Sequence, residues 1–441
     1  MRDEIYFANS VNIKKLGYFF FLTGIFFLCS SLFISVLFLI PTLIIGSILQ
    51  IREKKLLNDK WSCSFFVSGF LILLNALLQK FFLTNNFKEI WDSNLTLVGL
   101  ANWLPFFWMF WAFQPFLESE SKRRKFVICL ISGTLPLLVT GFGQYFFNWT
   151  GPFQTLNGLI IWYQRPILNP GGLSGLFSNQ NYAGSWLNLI WPFCIALIFE
   201  KTQSILKKSF TISFLLAIGL AIFLTFSRNA WGGLILALPI VIGGQGLIWI
   251  GPILIFLCII LILYLTEYLS PELTDSIKNY IPQKIYLEFA QEGYSDLDIS
   301  RLEILKSALK IATIRPFIGV GAASFTAIFA FQTNLYKGHS HNLLSELAIS
   351  YGIPVVFILF MSISILLIKS GYLIFFKNKF FKENNFIDRA FWASIFIFLL
   401  SQLVDIQYFD GKISIVVWCL LSAIKNIYDE KSIKFIYRNN D

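Results

Sequence analysis

Residues 16–51 read LGYFFFLTGIFFLCSSLFISVLFLIPTLIIGSILQI and contain no charged side chain. A membrane-spanning helix needs about 20 consecutive apolar residues, so this stretch is long enough for two crossings. The pair Ser30-Ser31 and the ring of Pro41 interrupt it and favour a tight hairpin between a span at 16–30 and a span at 32–51. This part of the chain is therefore expected to fold as helices in lipid.

The same pattern recurs through all 441 residues. Apolar residues make up 56% of the chain and charged residues 14%, which is well below the ~25% typical of soluble domains. The apolar runs are continuous, whereas a β-barrel would show short alternating strands. We therefore predict an all-α integral membrane protein with about twelve transmembrane helices and one long helical extracytoplasmic loop. The predicted spans are 16–30, 32–51, 62–83, 95–117, 126–147, 181–199, 210–227, 229–244, 247–266, 343–368, 389–408 and 413–427.

The cysteines and the N-terminal residues carry no sign of secretion or metal binding. None of the six cysteines pairs with another at metal-ligand spacing, and all lie inside apolar runs, so we expect free thiols. These residues are Cys29, Cys63, Cys129, Cys194, Cys258 and Cys419. The first apolar run leads into the second without a small-residue cleavage site, so no cleavable signal peptide is expected.

Basic residues set the predicted orientation. They cluster in loops that all fall on one side of the twelve-span arrangement, and by the positive-inside rule that side is the cytoplasm. The clusters lie at 14–15, 52–55, 122–125, 201–208, 377–382 and 431–434. Both termini are then cytoplasmic, and the chain is a multi-pass protein of the bacterial inner membrane in contact with its lipids. The net charge of +10 is explained as a topology signal, so we expect no nucleic-acid partner.

Two segments remain on the opposite, periplasmic side, at about 148–180 and 267–342. The second is the only long extramembrane segment, and a structureless loop of that length would be unusual. It divides the chain into an N-terminal membrane bundle at 1–266, the extracytoplasmic loop at 267–342, and a C-terminal membrane bundle with a cytoplasmic tail at 343–441.

The long loop carries its own helix signals. Ser300 stands three residues before Glu303, which is the spacing of a capping box, and Pro316 ends the helix that follows. Residues 322–332 have the pattern of a second, short amphipathic helix lying on the membrane surface.

The two histidines of the chain lie in residues 338–342, which read GHSHN, just before an apolar run. Imidazole is the side chain that ordinarily titrates near neutral pH, so His339 and His341 mark a candidate site of chemistry. The alternative is a pair of interfacial polar residues.

Two arginines fall on the same side. Arg228 lies in the turn between two predicted spans, and Arg301 lies in the first turn of the loop helix. The planar fork of donors on a guanidinium matches phosphate oxygens, so together with a helix N-terminus these residues predict a site for a lipid diphosphate. The alternatives are a snorkelling interfacial anchor for Arg228 and a solvated helix face for Arg301.

Further polar residues are candidates for substrate binding, namely Arg165, Asn179, Asn181, His339 and Asn342. Arg165 has the alternative of a plain loop residue, and the two asparagines before residue 182 have that of helix caps. Asp405 is a possible partner for one arginine. A metal held by the histidine pair or by Asp296-x-Asp298 is a further alternative, but the arginines already supply positive charge, so we predict no metal and no cofactor.

Taken together, these motifs resemble the O-antigen ligase and polymerase superfamily, whose multi-span members act on undecaprenyl-diphosphate-linked glycans. The resemblance rests on residues 175–183 (GLFSNQNYA), 225–228 (TFSR), 316–321 (PFIGVG), Arg301, His341-Asn342 and Gly352. It implies that His341 is the general base, that Arg228 and Arg301 hold the diphosphate, and that the reaction inverts the anomeric carbon. The implied partners are an undecaprenyl-diphosphate-linked donor and an acceptor such as the lipid A core.

Several functions fit this pattern. The first is an O-antigen ligase, and the second is a polymerase that joins repeat units. A third, from another class, is an inorganic-carbon transporter, which would place ionisable groups and broken helices near the membrane midplane. In this chain the polar groups gather at one face, which favours transfer chemistry. A glycan-binding protein without activity is the remaining alternative.

Overall fold

The computed structural model describes residues 2–53, 59–82, 89–162, 164–167, 171–199, 204–243, 251, 299–376 and 386–439. In this part the chain is almost entirely helical, in agreement with the predicted fold class. The α-helices are α1 Arg2–Leu28, α2 Leu32–Arg52, α3 Lys60–Leu77, α4 Leu95–Gly99, α5 Leu104–Ala112, α6 Glu120–Gly133, α7 Leu135–Phe147, α8 Gln180–Ile198, α9 Ile205–Leu224, α10 Arg228–Ile242, α11 Arg301–Ala312, α12 Ser324–Thr333, α13 Leu343–Tyr351, α14 Ile353–Gly371, α15 Phe386–Ser401 and α16 Gly411–Asn439.

Short elements complete the fold. Single π-helical turns at Leu78–Phe82 and Tyr372–Phe376 extend α3 and α14. Short 3₁₀ turns lie at Leu100–Asn102, Gln114–Phe116 and Leu156–Gly158. Two strands, β1 Phe153–Thr155 and β2 Ile160–Trp162, form an antiparallel hairpin in the segment before α8.

Seven helical stretches within the described ranges are long and apolar enough to cross a membrane, so the chain is a multi-span membrane protein. They are Leu32–Arg52, Lys60–Phe81, Leu95–Ala112, Glu120–Phe147, Ile205–Leu224, Ile353–Phe376 and Gly411–Ile436. The helix Arg228–Ile242 is apolar but shorter. The count of twelve is not confirmed, and the predicted span at 247–266 lies outside the described residues except for residue 251.

Three predicted spans consist of two helices each instead of one. A new helix starts near Pro105 within 95–117, near Pro136 within 126–147, and near Pro354 within 343–368. Proline has no N–H to donate and is tolerated in the first turn of a helix, so each ring marks the start of a new segment.

One aromatic-rich core holds the membrane helices together. The ring of Phe65 on α3 meets Trp418 on α16 edge-on at 5.1 Å, and Phe193 on α8 meets Phe391 on α15 at 4.8 Å. Such edge-to-face pairs are favoured for aromatic side chains. The helices before and after the long loop therefore share a core, while the predicted boundary at 266–267 lies outside the described residues. The five cysteines that the structure describes form no disulfide with one another, as predicted, and Cys258 lies outside the described residues.

Segments predicted to lie on the same side of the membrane contact each other. At one end, the positions predicted to be cytoplasmic meet acidic partners: Lys14 contacts Glu118 at 2.8 Å and Arg123 contacts Glu430 at 2.7 Å. At the other end, Nε1 of Trp162 in the hairpin donates to the carbonyl of Ser30 at 2.7 Å. The segments predicted to be periplasmic thus gather at one end, although which end faces the cytoplasm stays a prediction.

The long loop ends in two helices that pack on the bundle. Ser300 and Glu303 form the predicted capping box at the start of α11, and this helix ends at Ala312, before Pro316. Helix α12 covers most of the second predicted helix. Its residues Phe325, Ile328 and Phe329 are buried in a cluster shared with α11 and α13, so this face of the helix packs on protein. Contact of α12 with the membrane surface stays a prediction.

The orientation can be tested by cysteine labelling at Asn334. This residue is exposed at the end of α12, so Asn334→Cys should react with an impermeant thiol reagent in intact spheroplasts. Lys434→Cys, at an exposed position on α16 of the opposite end, is the matched control and should react only after lysis. The unsubstituted chain reports labelling of the native cysteines. The reverse pattern would overturn the orientation.

Candidate functional site

The histidine motif forms a tight turn fixed to the start of α13. Asn342 caps this helix, since its side-chain oxygen accepts from the backbone N–H groups of Leu344 at 3.0 Å and Ser345 at 3.1 Å. The backbone N–H of Ser340 donates to the carboxylate of Glu346 at 2.9 Å. His341 has a φ of 54°, in the left-handed region that is costly for a residue with a Cβ atom. Helix capping thus holds His341 in a conformation that it would not otherwise favour.

Asp405, in the loop after α15, is the partner of His341. The ring Nδ1 of His341 lies 2.9 Å from one carboxylate oxygen of Asp405, and Nδ2 of Asn181 donates to the other at 3.0 Å. The carboxylate side chain is only 8% exposed. Burial by itself would raise its pKa, but the hydrogen bond from His341 and the positive charges of the site, including Arg301, outweigh burial and lower the pKa.

This contact determines which nitrogen of His341 is available for chemistry. An ionised carboxylate only accepts hydrogen bonds, so Nδ1 of His341 carries the proton and donates it to Asp405. In the neutral ring, Nε2 then keeps its lone pair. A pair arranged in this way can act as a general base with a carboxylate that orients it and stabilises the protonated ring.

His339 has a different environment. Its ring lies 4.4 Å from that of His341, centroid to centroid, and its Nδ1 accepts from the backbone N–H of His341 at 3.2 Å. Burial, together with the charge of His341, lowers the pKa of His339 to about 4. His339 is therefore neutral at pH 7 with its proton on Nε2, which lies 3.9 Å from Asp405.

The same three side chains are the candidate metal site within the described part of the chain. One ligand atom from each of His339, His341 and Asp405 lies within 4.8 Å of the others. A metal binds the deprotonated nitrogen of imidazole. Coordination by Nε2 of His339 would move its proton to Nδ1 and break the bond to the backbone of His341. The hydrogen bonds thus favour acid–base chemistry over metal binding. The alternative pair Asp296 and Asp298 lies outside the described residues.

Arg301, the first residue of α11, is tied to the loop that carries Asp405. One of its terminal N–H groups donates to the carbonyl of Val404 at 3.0 Å. A guanidinium has five such donors, and this bond uses one of them. Arg301 is exposed, which agrees with the alternative that it lies on a solvated helix face. It is also held close to the two histidines, since its charge acts on His339.

Arg228, the first residue of α10, lies close to the same loop. The neighbouring Asn229 donates from its side chain to the carbonyl of Ser401 at 3.3 Å. Ser227 and Asn229 also line a cavity of about 10 Å³ together with Ser401 and with Asn181, the residue that bonds Asp405. The half-buried Arg228 therefore begins its helix at the edge of the site.

The loop at 402–410 connects these parts, and sequence reasoning missed its role. The side chain of Gln402 accepts from the backbone N–H groups of Gln407 at 2.9 Å and Tyr408 at 3.1 Å, which holds the loop in a closed turn. Nδ2 of Asn342 donates to the carbonyl of Leu403 at 2.9 Å. Asp405, predicted as a possible partner for one arginine, hydrogen-bonds His341 and Asn181, and Arg301 acts on it by charge. The available signal was an aspartate at the outer end of an apolar span.

Two glycines of the motifs quoted above allow two segments of the chain to pack closely. Gly319 and Gly352 have φ of 81° and 88°, and a Cβ atom on either would lie within 2.6 Å of backbone atoms of the other segment. The segments hydrogen-bond where they cross, from Val320 N–H to Ile349 at 2.7 Å and from Ile353 N–H to Pro316 at 2.7 Å. These glycines therefore fix the loop helices against α13, the helix that His341 precedes.

Of the remaining predicted site residues, some lie beside His341 and others do not. Asn179 caps α8 through a bond from the backbone of Asn181 at 2.7 Å, which was its alternative role. Arg165 is exposed, and its backbone carbonyl accepts from Gln144 at 2.6 Å. Substrate binding by these two residues stays a prediction, whereas Asn181, His339 and Asn342 lie directly beside His341 and Asp405.

The central part of the chain is similar to a known family. Residues 212–360 match the family model described as O-Antigen ligase. No curated protein matches the chain in a sequence search. The match confirms the predicted resemblance and indicates an envelope enzyme that transfers glycans. Its range includes Arg228, Arg301 and His341, whereas Asn181 and Asp405 lie outside it.

Proposed function

We propose that this member of the O-antigen ligase and polymerase superfamily transfers a glycan from undecaprenyl diphosphate to an acceptor hydroxyl. The transfer inverts the anomeric carbon and needs no metal. The observation that carries the proposal is the bond of His341 to the buried carboxylate of Asp405, with Arg301 fixed to the adjacent residue of the same loop. This arrangement provides a base and a cation at one end of a membrane bundle.

The reaction follows from the protonation pattern. Nε2 of His341 removes the proton of an acceptor hydroxyl, and Asp405 stabilises the imidazolium that results. The acceptor oxygen then attacks the anomeric carbon from the face opposite the leaving group. A new glycosidic bond forms, the bond from the anomeric carbon to the diphosphate oxygen breaks, and undecaprenyl diphosphate leaves with the electron pair.

The arginines act on the leaving group. Negative charge develops on the diphosphate as the bond breaks, and donors placed at that charge lower the barrier. Arg301 has donors beyond the one bound to Val404, and Arg228 stands at the N-terminus of α10, where backbone N–H groups and the helix dipole also favour an anion. The active site would then face the periplasm, with both termini in the cytoplasm.

Deletion of the gene separates the candidate activities. The envelope polysaccharide of the deletion strain is run on a gel beside that of the complemented strain. Loss of long glycan from its lipid anchor, with lipid-linked glycan retained, identifies a ligase that acts on the lipid A core or a similar acceptor. Products of a single repeat identify a polymerase. Unchanged glycan would contradict the proposal, and reduced bicarbonate uptake in that case would point to the transporter.

The role of Asp405 is tested by Asp405→Asn. The amide is similar in size but can donate to Nδ1 of His341 and favour the unproductive tautomer. His341 itself remains in this variant, so we expect transfer per folded molecule to fall by less than the ~10²–10⁴-fold contribution of a positioned general base. Asp92→Asn, an exposed aspartate near α12, is the control and should keep full activity. Full activity of Asp405→Asn would show that His341 needs no carboxylate partner.

A further inference from the structure

A second cavity, of about 260 Å³, opens at the same end of the bundle as His341. It lies between the turn joining α1 to α2, the β-hairpin, the segment before α8 and the start of α16. Its polar residues include Ser31, Ser178, Asp410 and Lys412, and apolar side chains such as those of Leu159 and Leu176 form the rest of the wall. This size is near the lower end of ligand pockets, which suits one or two sugar rings better than a long chain.

The two charged residues of this cavity are held in place by the backbone. Asp410 accepts from the backbone N–H groups of Lys412 at 2.9 Å and Ile413 at 3.3 Å. The ammonium of Lys412 donates to the carbonyls of Cys29 at 2.9 Å and Leu176 at 3.1 Å and lies 4.7 Å from the centre of the Phe177 ring. Both residues are held at the cavity by these bonds. Burial raises the pKa of Asp410, and the charge of Lys412 opposes that shift.

This chemistry suits an uncharged sugar. The hydroxyl groups of a sugar can donate to a carboxylate and accept from an ammonium, and its C–H faces can pack on the apolar wall. A phosphate would have to approach the carboxylate of Asp410, and a hydrocarbon chain would leave the remaining hydrogen-bonding capacity of both charged groups unused. Arg301, whose charge acts on His339 and Asp405, offers the opposite chemistry, with positive charge for an anion.

The cavity adjoins the transfer site through two shared elements. The loop at 402–410 carries both Asp405 and Asp410, and the carboxylates of these two residues both act by charge on Tyr182. Ser178 lines the cavity just before α8, while Asn181 in the first turn of that helix bonds Asp405. A glycan whose reacting sugar lies at His341 therefore has a neighbouring place for its next sugar.

From these observations we propose that the cavity around Asp410 and Lys412 is a subsite for an uncharged sugar of the glycan substrate, adjacent to the sugar that reacts. This proposal rests on the proposed glycan transfer. The sugar can come from the donor glycan or from the acceptor, and both would use the same hydroxyl chemistry.

Asp410→Asn tests the subsite in the purified full-length protein. Asparagine caps helices as well as aspartate does, so it can keep the bonds to the start of α16 while the carboxylate charge is lost. The matched control is Asp92→Asn, because Asp92 also accepts from the backbone N–H two residues later, at 2.9 Å, and lies exposed at the same end. Ser178→Leu, which narrows the cavity from another wall, serves as a second variant.

The readouts are the KM for each substrate and the binding of two probes measured by saturation-transfer NMR. The probes are lipid-free glycan released from the host's envelope polysaccharide and lipid-free oligosaccharide of its acceptor. We expect both cavity variants to raise the KM for one substrate about tenfold and to leave kcat unchanged, because the subsite binds the ground state and the transition state equally. Binding of the probe derived from that substrate should weaken as well. Which KM rises identifies the donor or the acceptor as the source.

Unchanged KM values and probe binding in both variants would overturn the subsite, as would a fall in kcat at constant KM. The variant His341→Ala shows whether a negative result contradicts the subsite or the proposed function. If His341→Ala loses transfer while Asp410→Asn and Ser178→Leu behave like the unsubstituted protein, the transfer reaction stands and only the subsite is wrong. If the unsubstituted protein shows no transfer at all, the function itself is wrong.

Discussion

Glycan transfer should fall by ~10²–10⁴-fold when His341 is replaced by alanine, since this is the usual contribution of a positioned general base. The structure gives the reason: Asp405 binds Nδ1 of His341 and leaves Nε2 as the proton acceptor. The measurement is transfer from purified lipid-linked donor to acceptor, normalised to folded protein. Activity of His341→Ala at the level of the unsubstituted chain would end the base hypothesis.

His339→Ala is the matched control because it removes the neighbouring imidazole. At neutral pH His339 is a weak base, with a pKa of about 4, so it cannot replace His341. Its loss removes the acceptor for the backbone N–H of His341 and a ring beside His341 and Asp405, but leaves the bond between His341 and Asp405, so we expect a smaller decrease. Equal losses from the two variants would instead point to a metal held by both rings. Transfer that persists in excess chelator would argue against that metal.

The second large effect is expected at the two arginines. If Arg228 and Arg301 hold the leaving diphosphate, replacing either one with alanine should lower transfer by ~10²–10³-fold, as for loss of one stabiliser of developing charge. Arg→Lys should also be damaging at both positions, because lysine lacks the planar fork of donors. At Arg301 a lysine would have to choose between the carbonyl of Val404 and the substrate. The assay measures transfer per folded molecule for the four single variants.

Lys306→Ala is the control for loss of a positive charge, since Lys306 is an exposed cation on the same helix as Arg301. It should keep full activity. An interfacial anchor predicts a different pattern: lysine would substitute well, and alanine would lower protein abundance before it lowered specific activity. Full activity in both lysine variants would therefore contradict the diphosphate site.

Most of the correct predictions came from patterns among residues that are close together in the sequence. Apolar run length specifies membrane helices because an unpaired backbone group in lipid is too costly for irregular structure. The capping box at Ser300 and Glu303 specifies the start of α11 because both partners lie within one helical turn. The count of spans was less accessible, because an apolar run can form a helix shorter than a full crossing, as Arg228–Ile242 does.

The motifs also identified the residues of the candidate site, since His341, Arg301 and Asn181 lie around one carboxylate. They did not identify that carboxylate as the partner of His341. Asp405 follows His341 by 64 positions, and Asn181 precedes Asp405 by 224. Residues so far apart in the chain produce no periodic pattern in a single sequence, so their contact could not be predicted from it.

The sequence by itself thus determined the membrane class, the helix starts and the types of side chain available for chemistry, because these depend on neighbours within one or two turns. Tertiary structure alone decided that Asp405 bonds His341, that Arg301 is tied to the same loop, and that Asp410 and Lys412 face a cavity. These contacts exist only because α8, α11, α13 and α15 bring their ends to one place, and packing of the shared core fixes that arrangement.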